Sequence, residues 1–287
     1  MLRVAVPNKG SLHGPATQLL SAAGYRVHRE HKALFATDVP NDVQFVFLRP
    51  TDIARNVGAG VLDVGITGQD LLAAVGNTDR TIELLRLDFG VSKFYFAAPR
   101  GVAACTADLD GKRVATSFSA LVTQAAAKAG IHVELVELDG AVETAVELGL
   151  ADAIADVVET GVSLQAAGLH TIGEPIMHSE AVLVRGANST FAPASEQAAE
   201  VLIQRLRGVL IARQYVMMDY NCPTAVLPAA REITPGMESP TVAPLQEEGW
   251  VAVRAMVLRN QAQAVMDRLW AVGARAILVT SLEACRL

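Results

Sequence analysis

The stretch from Ala151 to Leu164 has the composition of a phosphate-binding turn. An apolar strand ends near Asp156, and a turn with Thr160 and Gly161 leads into the first turn of a helix. The first amides of a helix offer N–H donors and partial positive charge, and glycine lets a ligand approach the backbone closely. The pattern suits a phosphate monoester, with Asp156 placed to hold the hydroxyls of an attached ribose. It also suits an ordinary helix N-terminus capped by Thr160 or Ser163. From this stretch alone the ordinary cap is favoured, because every helix has such an end.

A second acidic turn lies just upstream. Asp139-Gly140 leads into a predicted helix at Ala141–Leu148, and Glu143 falls in its first turn. The helix dipole favours a carboxylate there, so a structural role is the default. In the functional alternative, Glu143 and Asp156 together hold ribose hydroxyls or a Mg²⁺ ion, since Mg²⁺ is commonly bound by one or two carboxylates plus substrate phosphates.

Three turns nearer the N-terminus repeat the strand–turn–helix pattern. They are Pro7–Leu12, which contains Lys9, Leu48–Pro50, which contains Arg49, and Asp63–Asp70. In open α/β sheets such turns at the carboxyl ends of strands line the ligand crevice. Each charged residue alone is best explained as a solvated loop residue, but several converging turns favour one shared site for an anionic ligand.

Other kinds of site find little support in the sequence. Cys105, Cys222 and Cys285 are far apart, with no spacing typical of zinc ligands. The histidines form no Ser/His/Asp arrangement, so no protein nucleophile is indicated. There is no Walker loop or dinucleotide fingerprint. The formal net charge of −6 argues against a protein that binds nucleic acid.

Length and composition indicate a soluble globular protein. The 287 residues are 51% hydrophobic and 19% charged, which excludes intrinsic disorder. The N-terminal apolar run is too short for a signal peptide, and no run reaches the roughly 20 residues that cross a bilayer. We therefore expect a cytoplasmic protein with no membrane contact.

Short apolar strands alternate with helical stretches, which is typical of an α/β fold. Glycines at Gly24 and Gly130 stand where a helix end requires them. Phe94–Pro99, followed by Arg100-Gly101, is predicted as a crossing between two α/β lobes. Strands are predicted at Leu2–Val6, Val43–Leu48, Leu62–Ile66, Val114–Thr116, His132–Leu138 and Ala153–Val158, and helices at Leu12–Ala23, Pro50–Val57, Leu121–Ala129 and Ala141–Leu148.

The chain beyond Tyr215 has a different order of elements. Strands at Tyr215–Tyr220, Pro240–Leu245, Trp250–Leu258 and Ala276–Thr280 and helices at Thr224–Ala230 and Gln261–Val272 give the order β-α-β-β-α-β. This is the ferredoxin-like order. A turn-rich break at 186–190 and a long helix at Glu196–Ile211 precede it. We predict three domains: a first lobe of residues 1–92 and 180–213, a second lobe of residues 93–179, and a small domain of residues 214–287.

Five blocks together resemble the ATP phosphoribosyltransferases, which open histidine biosynthesis, in their long form with a regulatory C-terminal domain. The blocks are Val6–Gly10, Phe47–Pro50, Asp63–Gly68, Ala151–Gly161 and Ile233–Thr241. The resemblance runs from the first residue to the last; the block at 151–161 is the most specific, and the block at 233–241 marks the long form. It implies two periplasmic-binding-protein-like (type II) lobes with the active site in the cleft between them, followed by a ferredoxin-like (βαββαβ) regulatory domain.

The resemblance also implies an activity: transfer of the phosphoribosyl group of phosphoribosyl pyrophosphate to N1 of ATP, with Mg²⁺ and with release of pyrophosphate. It implies feedback inhibition by histidine and assembly into dimers and hexamers. The implied catalytic residues are Lys9, Arg49, Glu143 and Asp156. The implied phosphoribosyl-pyrophosphate ligands are Glu143, Asp156, Val157, Val158, Glu159, Thr160, Gly161, Val162 and Ser163. The implied ATP ligands are Lys9, Gly10, Ser11, Leu12, Arg49, Asp70 and Phe118. The implied histidine pocket is Asn221, Met237, Thr241, Met256 and Ala276. Mg²⁺ is expected to arrive on substrate phosphates, with Glu143 and Asp156 as candidate contacts.

The sequence departs from the family pattern at several positions. Phe118 stands where relatives often have tyrosine, so a hydroxyl contact to the nucleotide would be lost while stacking survives. Ser119-Ala120 replaces a common Pro-Asn, and residues 122–124 lack the basic side chains often found there. Asn221 stands where some long-form relatives have aspartate, which would weaken the grip on the ammonium group of histidine.

Two other functional classes fit parts of the sequence. A solute-binding protein could use the same two lobes, but it would normally carry a secretion signal. A transcriptional effector domain with a small-molecule sensor would need a helix-turn-helix or a basic face. Release of pyrophosphate from a mixture with ATP, phosphoribosyl pyrophosphate and Mg²⁺ distinguishes the enzyme from both.

Overall fold

The computed structural model describes residues 1–28, 33–158 and 161–286. Its strands are β1 (Leu2–Pro7), β2 (Phe35–Asp38), β3 (Val43–Leu48), β4 (Val64–Gly68), β5 (Thr81–Arg86), β6 (Ser92–Pro99), β7 (Arg113–Thr116), β8 (Glu134–Glu137), β9 (Ala153–Val158), β10 (Leu169–Ser179), β11 (Ala181–Gly186), β12 (Tyr215–Pro223), β13 (Thr241–Pro244), β14 (Trp250–Leu258) and β15 (Arg275–Ser281). Its α-helices are α1 (His13–Ala22), α2 (Pro50–Gly58), α3 (Gln69–Ala74), α4 (Ser119–Ala129), α5 (Thr144–Glu147), α6 (Val162–Ala166), α7 (Pro193–Gln214), α8 (Leu227–Ile233) and α9 (Ala262–Ala271).

The first two sheets share one strand order. The first runs β2-β3-β1-β4-β11-β5 and the second β10-β6-β9-β7-β8. In each, three parallel strands (β3-β1-β4 and β8-β7-β9) are followed by an antiparallel strand that enters from the other lobe, β11 in the first sheet and β6 in the second. Two lobes connected by two crossings with this order form the type II periplasmic-binding-protein arrangement, and the predicted fold class is confirmed.

The predicted position of the first crossing is wrong. Phe94–Pro99 lies within β6, which pairs with β9 and β10 inside the second sheet. The chain instead crosses between the end of β5 and the start of β6, and it returns through Glu180 between β10 and β11. An apolar run of this length is better buried as a central strand than left in a connection.

Burial on both faces explains the apolar strands of the first lobe. β4 is buried along its whole length, and α2 covers one of its faces with Ile53 and Val57. A Cβ added at Gly65 would overlap both of those side chains, so glycine there lets α2 lie close to the sheet. This packing holds α2 against the sheet, and Arg49 is the residue directly before that helix.

Several predicted elements exist with shifted ends. The helix predicted at Ala141–Leu148 begins only at Thr144, because Gly140 and Ala141 both have positive φ (93° and 49°), which a helix cannot contain. The strand predicted from His132 begins at Glu134, since the His132 N–H donates to Asp110 (2.8 Å) instead of a neighbouring strand. Gly24 and Gly130 adopt the left-handed conformation expected after a helix.

The C-terminal elements form a separate antiparallel sheet. Its order is β13-β14-β12-β15, and α8 and α9 pack on one face around Met218, Tyr220 and Leu269. The sequence order β12-α8-β13-β14-α9-β15 is ferredoxin-like, as predicted. The helix predicted at Thr224–Ala230 is a 3₁₀ turn at Thr224–Val226 followed by α8.

The chain divides into two compact units. One comprises Met1–Gln18 with Tyr25–Glu200 and contains both lobes; the other comprises Leu19–Gly24 with Val201–Leu287. The domain boundaries given in the sequence analysis stay predictions. Within the described residues, no helix combines the length and apolar character needed to span a bilayer.

Candidate active site at the carboxyl edges of the two lobes

The parallel strands of the first lobe bring three predicted site residues to one edge. β1 and β3 run side by side to Pro7 and Leu48, and the Asn8 N–H continues the ladder by donating to the Leu48 carbonyl (2.8 Å). Lys9 and Arg49 follow directly and are exposed. Asp70 comes just after β4, which pairs in parallel with β1. The sheet therefore gathers two cations and a carboxylate at its carboxyl edge, the usual ligand side of an α/β sheet.

The backbone of Arg49 is well anchored although its side chain is exposed. Arg49 is the extended residue before α2, and its carbonyl accepts the Ile53 N–H (3.0 Å). The Thr67 hydroxyl, buried at the end of β4, donates to the Pro50 carbonyl (2.9 Å). A fixed backbone with an exposed guanidinium suits a group that must contact a polyanion.

The carboxyl edge of the second lobe carries the two predicted acidic residues. Ser117 follows β7, and its hydroxyl donates to the Leu138 carbonyl (2.6 Å) and accepts the Gly140 N–H (3.2 Å). These bonds hold the turn that leads to Glu143. Ser117 was not among the predicted site residues, although a hydroxyl residue directly after an apolar strand is a pattern that could have indicated it.

Asp156 interacts with carboxylates from both lobes. Burial raises the pKa of Asp156, and the negative charges of Glu143 and Asp70 raise it further, whereas the Val157 N–H bonded to Asp156 Oδ1 (2.8 Å) lowers it. Only groups in close proximity couple in this way. Glu143 of the second lobe and Asp70 of the first therefore both lie near enough to Asp156 to act on its charge, and the roles predicted for these residues stay predictions. A buried carboxylate beside other negative charges attracts cations and hydroxyl donors.

The predicted phosphate turn has the expected flanking elements. β9 ends at Val158 and α6 begins at Val162; Glu159 and Thr160 lie outside the described residues. Gly161 is the residue before the helix, with φ of 77° and no side-chain cap bond, and Ser163 is exposed inside the first turn. Gly161, and not Ser163, is therefore the N-cap residue of α6, so the alternative in which Ser163 caps this helix is wrong.

Asp70 is fixed by a residue far away in sequence. The Ser179 hydroxyl donates to Asp70 Oδ1 (2.8 Å) and accepts the Asp70 N–H (3.0 Å). The carboxylate lies over Gly68, where an added Cβ would overlap Asp70 Oδ1. No local pattern connects Ser179 with Asp70, so this residue could not be predicted from the sequence.

Comparison with known proteins identifies the family. The family model for ATP phosphoribosyltransferase matches residues 49–208, and that for its C-terminal domain matches residues 212–284. The chain is 54% identical to an ATP phosphoribosyltransferase of Streptomyces avermitilis and 53% identical to one of Streptomyces coelicolor, in each case over 100% of both chains. The chain belongs to the ATP phosphoribosyltransferase family. A solved ATP phosphoribosyl transferase HisG:HisZ complex from Thermotoga maritima also matches, with a TM-score of 0.62 and 26% identity over 72% of this chain and 96% of that one.

The remaining ATP ligands implied by the ATP phosphoribosyltransferase resemblance have mixed environments. Gly10 and Ser11 are exposed in the turn after β1, and Leu12 is half-buried. Phe118 is only 8% exposed and packs edge-to-face on Phe94, with ring centroids 5.0 Å apart, in the core of the second lobe. In this conformation the Phe118 ring contributes to packing and is not exposed for stacking on a purine.

The predicted histidine pocket of the ATP phosphoribosyltransferase maps to the third sheet. Directly opposite residues of antiparallel strands share a face. Asn221 lies opposite Ala252, Thr241 lies opposite Arg254, and Met256 is two residues further along β14, so Asn221, Thr241 and Met256 share the face that α8 and α9 leave uncovered. The other two predicted residues are exposed: Met237 precedes β13, and Ala276 lies on β15 with φ of 51°.

A cavity of about 580 Å³ lies between the lobes, and Gln69, Ser179 and Glu180, which adjoin Asp70, contribute to its lining. Part of its polar wall is already paired: Arg86 pairs with Glu83 (3.0 Å) and Glu180 (3.6 Å), and Gln69 donates to Glu83 (2.8 Å). An anionic substrate in this cavity would have to compete with Glu83 and Glu180 for Arg86.

Proposed function

We propose that the carboxyl edges of the two lobes bind phosphoribosyl pyrophosphate and ATP and carry out phosphoribosyl transfer to N1 of ATP. The chain belongs to the family with this activity, the first step of histidine biosynthesis. The carrying observation is that parallel strands gather Lys9, Arg49 and Asp70 at the carboxyl edge of the first sheet, while Asp156 lies at the carboxyl edge of the second. Lys9 and Arg49, on the same edge as Asp70, supply the opposite charge that two polyanionic substrates need.

The ribosyl donor is proposed to lie on the second lobe. The backbone amides between the end of β9 and Ser163 hold its 5′-phosphate, since the Val157 N–H is already bonded to Asp156 Oδ1 (2.8 Å). Asp156 and Glu143 accept hydrogen bonds from its ribose hydroxyls. Gly161 supports this assignment, since its left-handed conformation turns the chain without a side chain over the amides. Lys9 and Arg49 face the pyrophosphate and the nucleotide, with Asp70 on the ATP side.

The reaction needs positioning and charge stabilisation more than covalent catalysis. Displacement at the anomeric carbon develops positive charge on the ribose while pyrophosphate departs with negative charge. Carboxylates near the ribose stabilise its developing positive charge, and Lys9 and Arg49 stabilise the negative charge of the departing pyrophosphate. Each acts as a fixed charge, so no side chain has to form a bond with the sugar.

Mg²⁺ is proposed to enter with the substrates. Among the described residues no group of three or more His, Cys, Asp or Glu side chains could hold a metal ion by itself. Glu143 and Asp156 provide hard oxygen donors, which suit an ion that keeps most of its ligands from phosphate and water. When bound, Mg²⁺ would neutralise phosphate charge, while the two carboxylates orient the substrate that carries it.

The C-terminal domain is proposed to bind histidine as a feedback inhibitor. The open face of its sheet presents Asn221, Thr241 and Met256 together, and Asp219 and Arg254 form an ion pair on it (2.7 Å). Polar groups of both signs on this face suit an amino-acid zwitterion. We also propose that the enzyme is a cytoplasmic homo-oligomer, a dimer or hexamer; exposed Leu278 and Val279 on edge strand β15 are consistent with such contacts.

Pyrophosphate release from ATP, phosphoribosyl pyrophosphate and Mg²⁺ tests the proposed reaction. Asp156→Asn should lower kcat/KM about 100-fold, the order observed when a charge that stabilises the transition state is removed. Asp152→Asn is the matched control, because Asp152 precedes the same strand at its other end and pairs with Arg113 (2.9 Å). Binding of either substrate without pyrophosphate release by the wild type would favour a solute-binding protein.

A further inference from the structure

The carboxylate of Asp70 is oriented by a serine that belongs to the other lobe. Ser179 is the last residue of β10 in the second sheet, whereas Asp70 lies in the first turn of α3, which follows β4 of the first sheet. The two residues are 109 positions apart and exchange two hydrogen bonds, of 2.8 Å and 3.0 Å. Ser179 is only 4% exposed, so water competes poorly for its hydroxyl.

The neighbouring residues form a second pair across the same junction. The Gln69 N–H donates to the Glu180 carbonyl (3.1 Å), and the Glu180 N–H donates to Gln69 Oε1 (3.3 Å). Glu180 is the residue through which the chain returns from β10 to β11. The beginning of α3 is therefore attached to the return crossing through two consecutive residues on each side.

We propose that Ser179 is a positioning residue for the transferase reaction: it holds the Asp70 carboxylate in the orientation that the ATP subsite requires. This rests on the proposed role of Asp70 in ATP binding. A hydroxyl that both accepts the Asp70 N–H and donates to its side chain fixes the backbone and the carboxylate at once. Because Ser179 lies at the return crossing, the orientation of Asp70 depends on the path of the chain between the lobes.

Steady-state kinetics of Ser179→Ala test the proposal. Loss of a hydrogen bond to a charged group should raise the KM for ATP roughly tenfold or more, while the KM for phosphoribosyl pyrophosphate stays within about twofold. Ser179→Thr keeps the hydroxyl and should recover most of the loss. Gly68→Ala displaces the same carboxylate while Ser179 stays intact, so it should also raise the KM for ATP selectively. It replaces the threonine variant as a test if the added methyl group of threonine does not fit.

Ser92→Ala is the matched control. Ser92 lies directly opposite Ser179 in the β6–β10 ladder and is 5% exposed, and in the described part of the chain its hydroxyl makes no hydrogen bond to Asp70. It should leave both KM values unchanged. In a double-mutant cycle, Ser179→Ala should add nothing further in an Asp70→Asn background, because Ser179 acts through Asp70.

Provided that the wild type releases pyrophosphate, several outcomes would overturn the proposal. They are unchanged kinetics in Ser179→Ala, an equal rise in both KM values, and additive effects of Ser179→Ala and Asp70→Asn. A lower melting temperature with unchanged KM values would also overturn it, since Ser179 would then only cap α3. An inactive wild type instead contradicts the proposed function itself, so the two failures are distinguishable.

Discussion

Asp156 shows how a single side chain acquires its chemistry from its surroundings. Its identity and its position after an apolar strand are visible in the sequence. Its raised pKa is not, because burial and the charges of Glu143 and Asp70 cause the shift. Glu143 and Asp70 belong to different lobes, so their charges act together on Asp156 only after both lobes have folded.

This coupling predicts a pH dependence. If ionised Asp156 is needed, activity should fall as the pH drops through its raised pKa, at a higher pH than for an ordinary aspartate. Glu143→Gln removes one negative charge that raises this pKa, so the acidic limb of kcat/KM should move to lower pH. Glu147→Gln, exposed at the end of the same helix, should leave the limb in place. A limb that stays fixed or moves to higher pH in Glu143→Gln would contradict the assignment.

At the scale of elements, the turn between β9 and α6 combines a predictable pattern with a conformational requirement. The strand Ala153–Val158 is found with the predicted bounds, and a helix follows. Gly161 and Gly168 flank that helix with similar positive φ values, 77° and 69°. A β-branched residue at either position costs about 1–2 kcal/mol of backbone strain.

The two glycines provide a matched pair of variants. Gly161→Val should raise the KM for phosphoribosyl pyrophosphate about tenfold, with little change for ATP, because its side chain and altered turn disturb the amides that hold the 5′-phosphate. Gly168→Val carries comparable strain in open space at the far end of α6 and should affect stability without this selectivity. Equal kinetic effects of the two variants would reject the phosphate assignment. Initial rates at varied substrate concentrations, with melting temperatures, decide between them.

Two strands with weak local patterns were missed, and so was the buried, apolar β11, which follows β10 after a single residue instead of after a helix. β2 and β5 are largely exposed, so their residues show neither the continuous apolar run nor the clean alternation that predicts a strand. Both lie at the edges of the first sheet, where pairing with one neighbour, and not burial, defines them. β3 and β9 have the predicted bounds, because each is a largely apolar run in the interior of its sheet.

At the scale of the whole molecule, the proposed feedback inhibition requires histidine bound to the C-terminal domain to change the activity of the two lobes. Asn221 presents an amide where a carboxylate would bind an ammonium group with a charge-assisted hydrogen bond of about twice the strength. Asn221→Asp should therefore lower the histidine concentration for half-inhibition, and Asn221→Ala should raise it. Both variants should leave the uninhibited rate unchanged. A histidine titration of the steady-state rate in the full-length chain measures this, and identical curves for all three proteins would remove Asn221 from the pocket.

The sequence by itself determined the alternation of strands and helices, the ferredoxin-like order of the last elements and the residue types at the ends of the parallel strands. These features follow from short-range periodicity and turn chemistry, which each segment carries independently of the rest. The tertiary structure alone decided that Ser179 binds Asp70, that Phe118 is buried against Phe94, and that Asp70 lies near Asp156. Each of these contacts joins segments whose local patterns contain no information about one another, so only the packing of the lobes could define them.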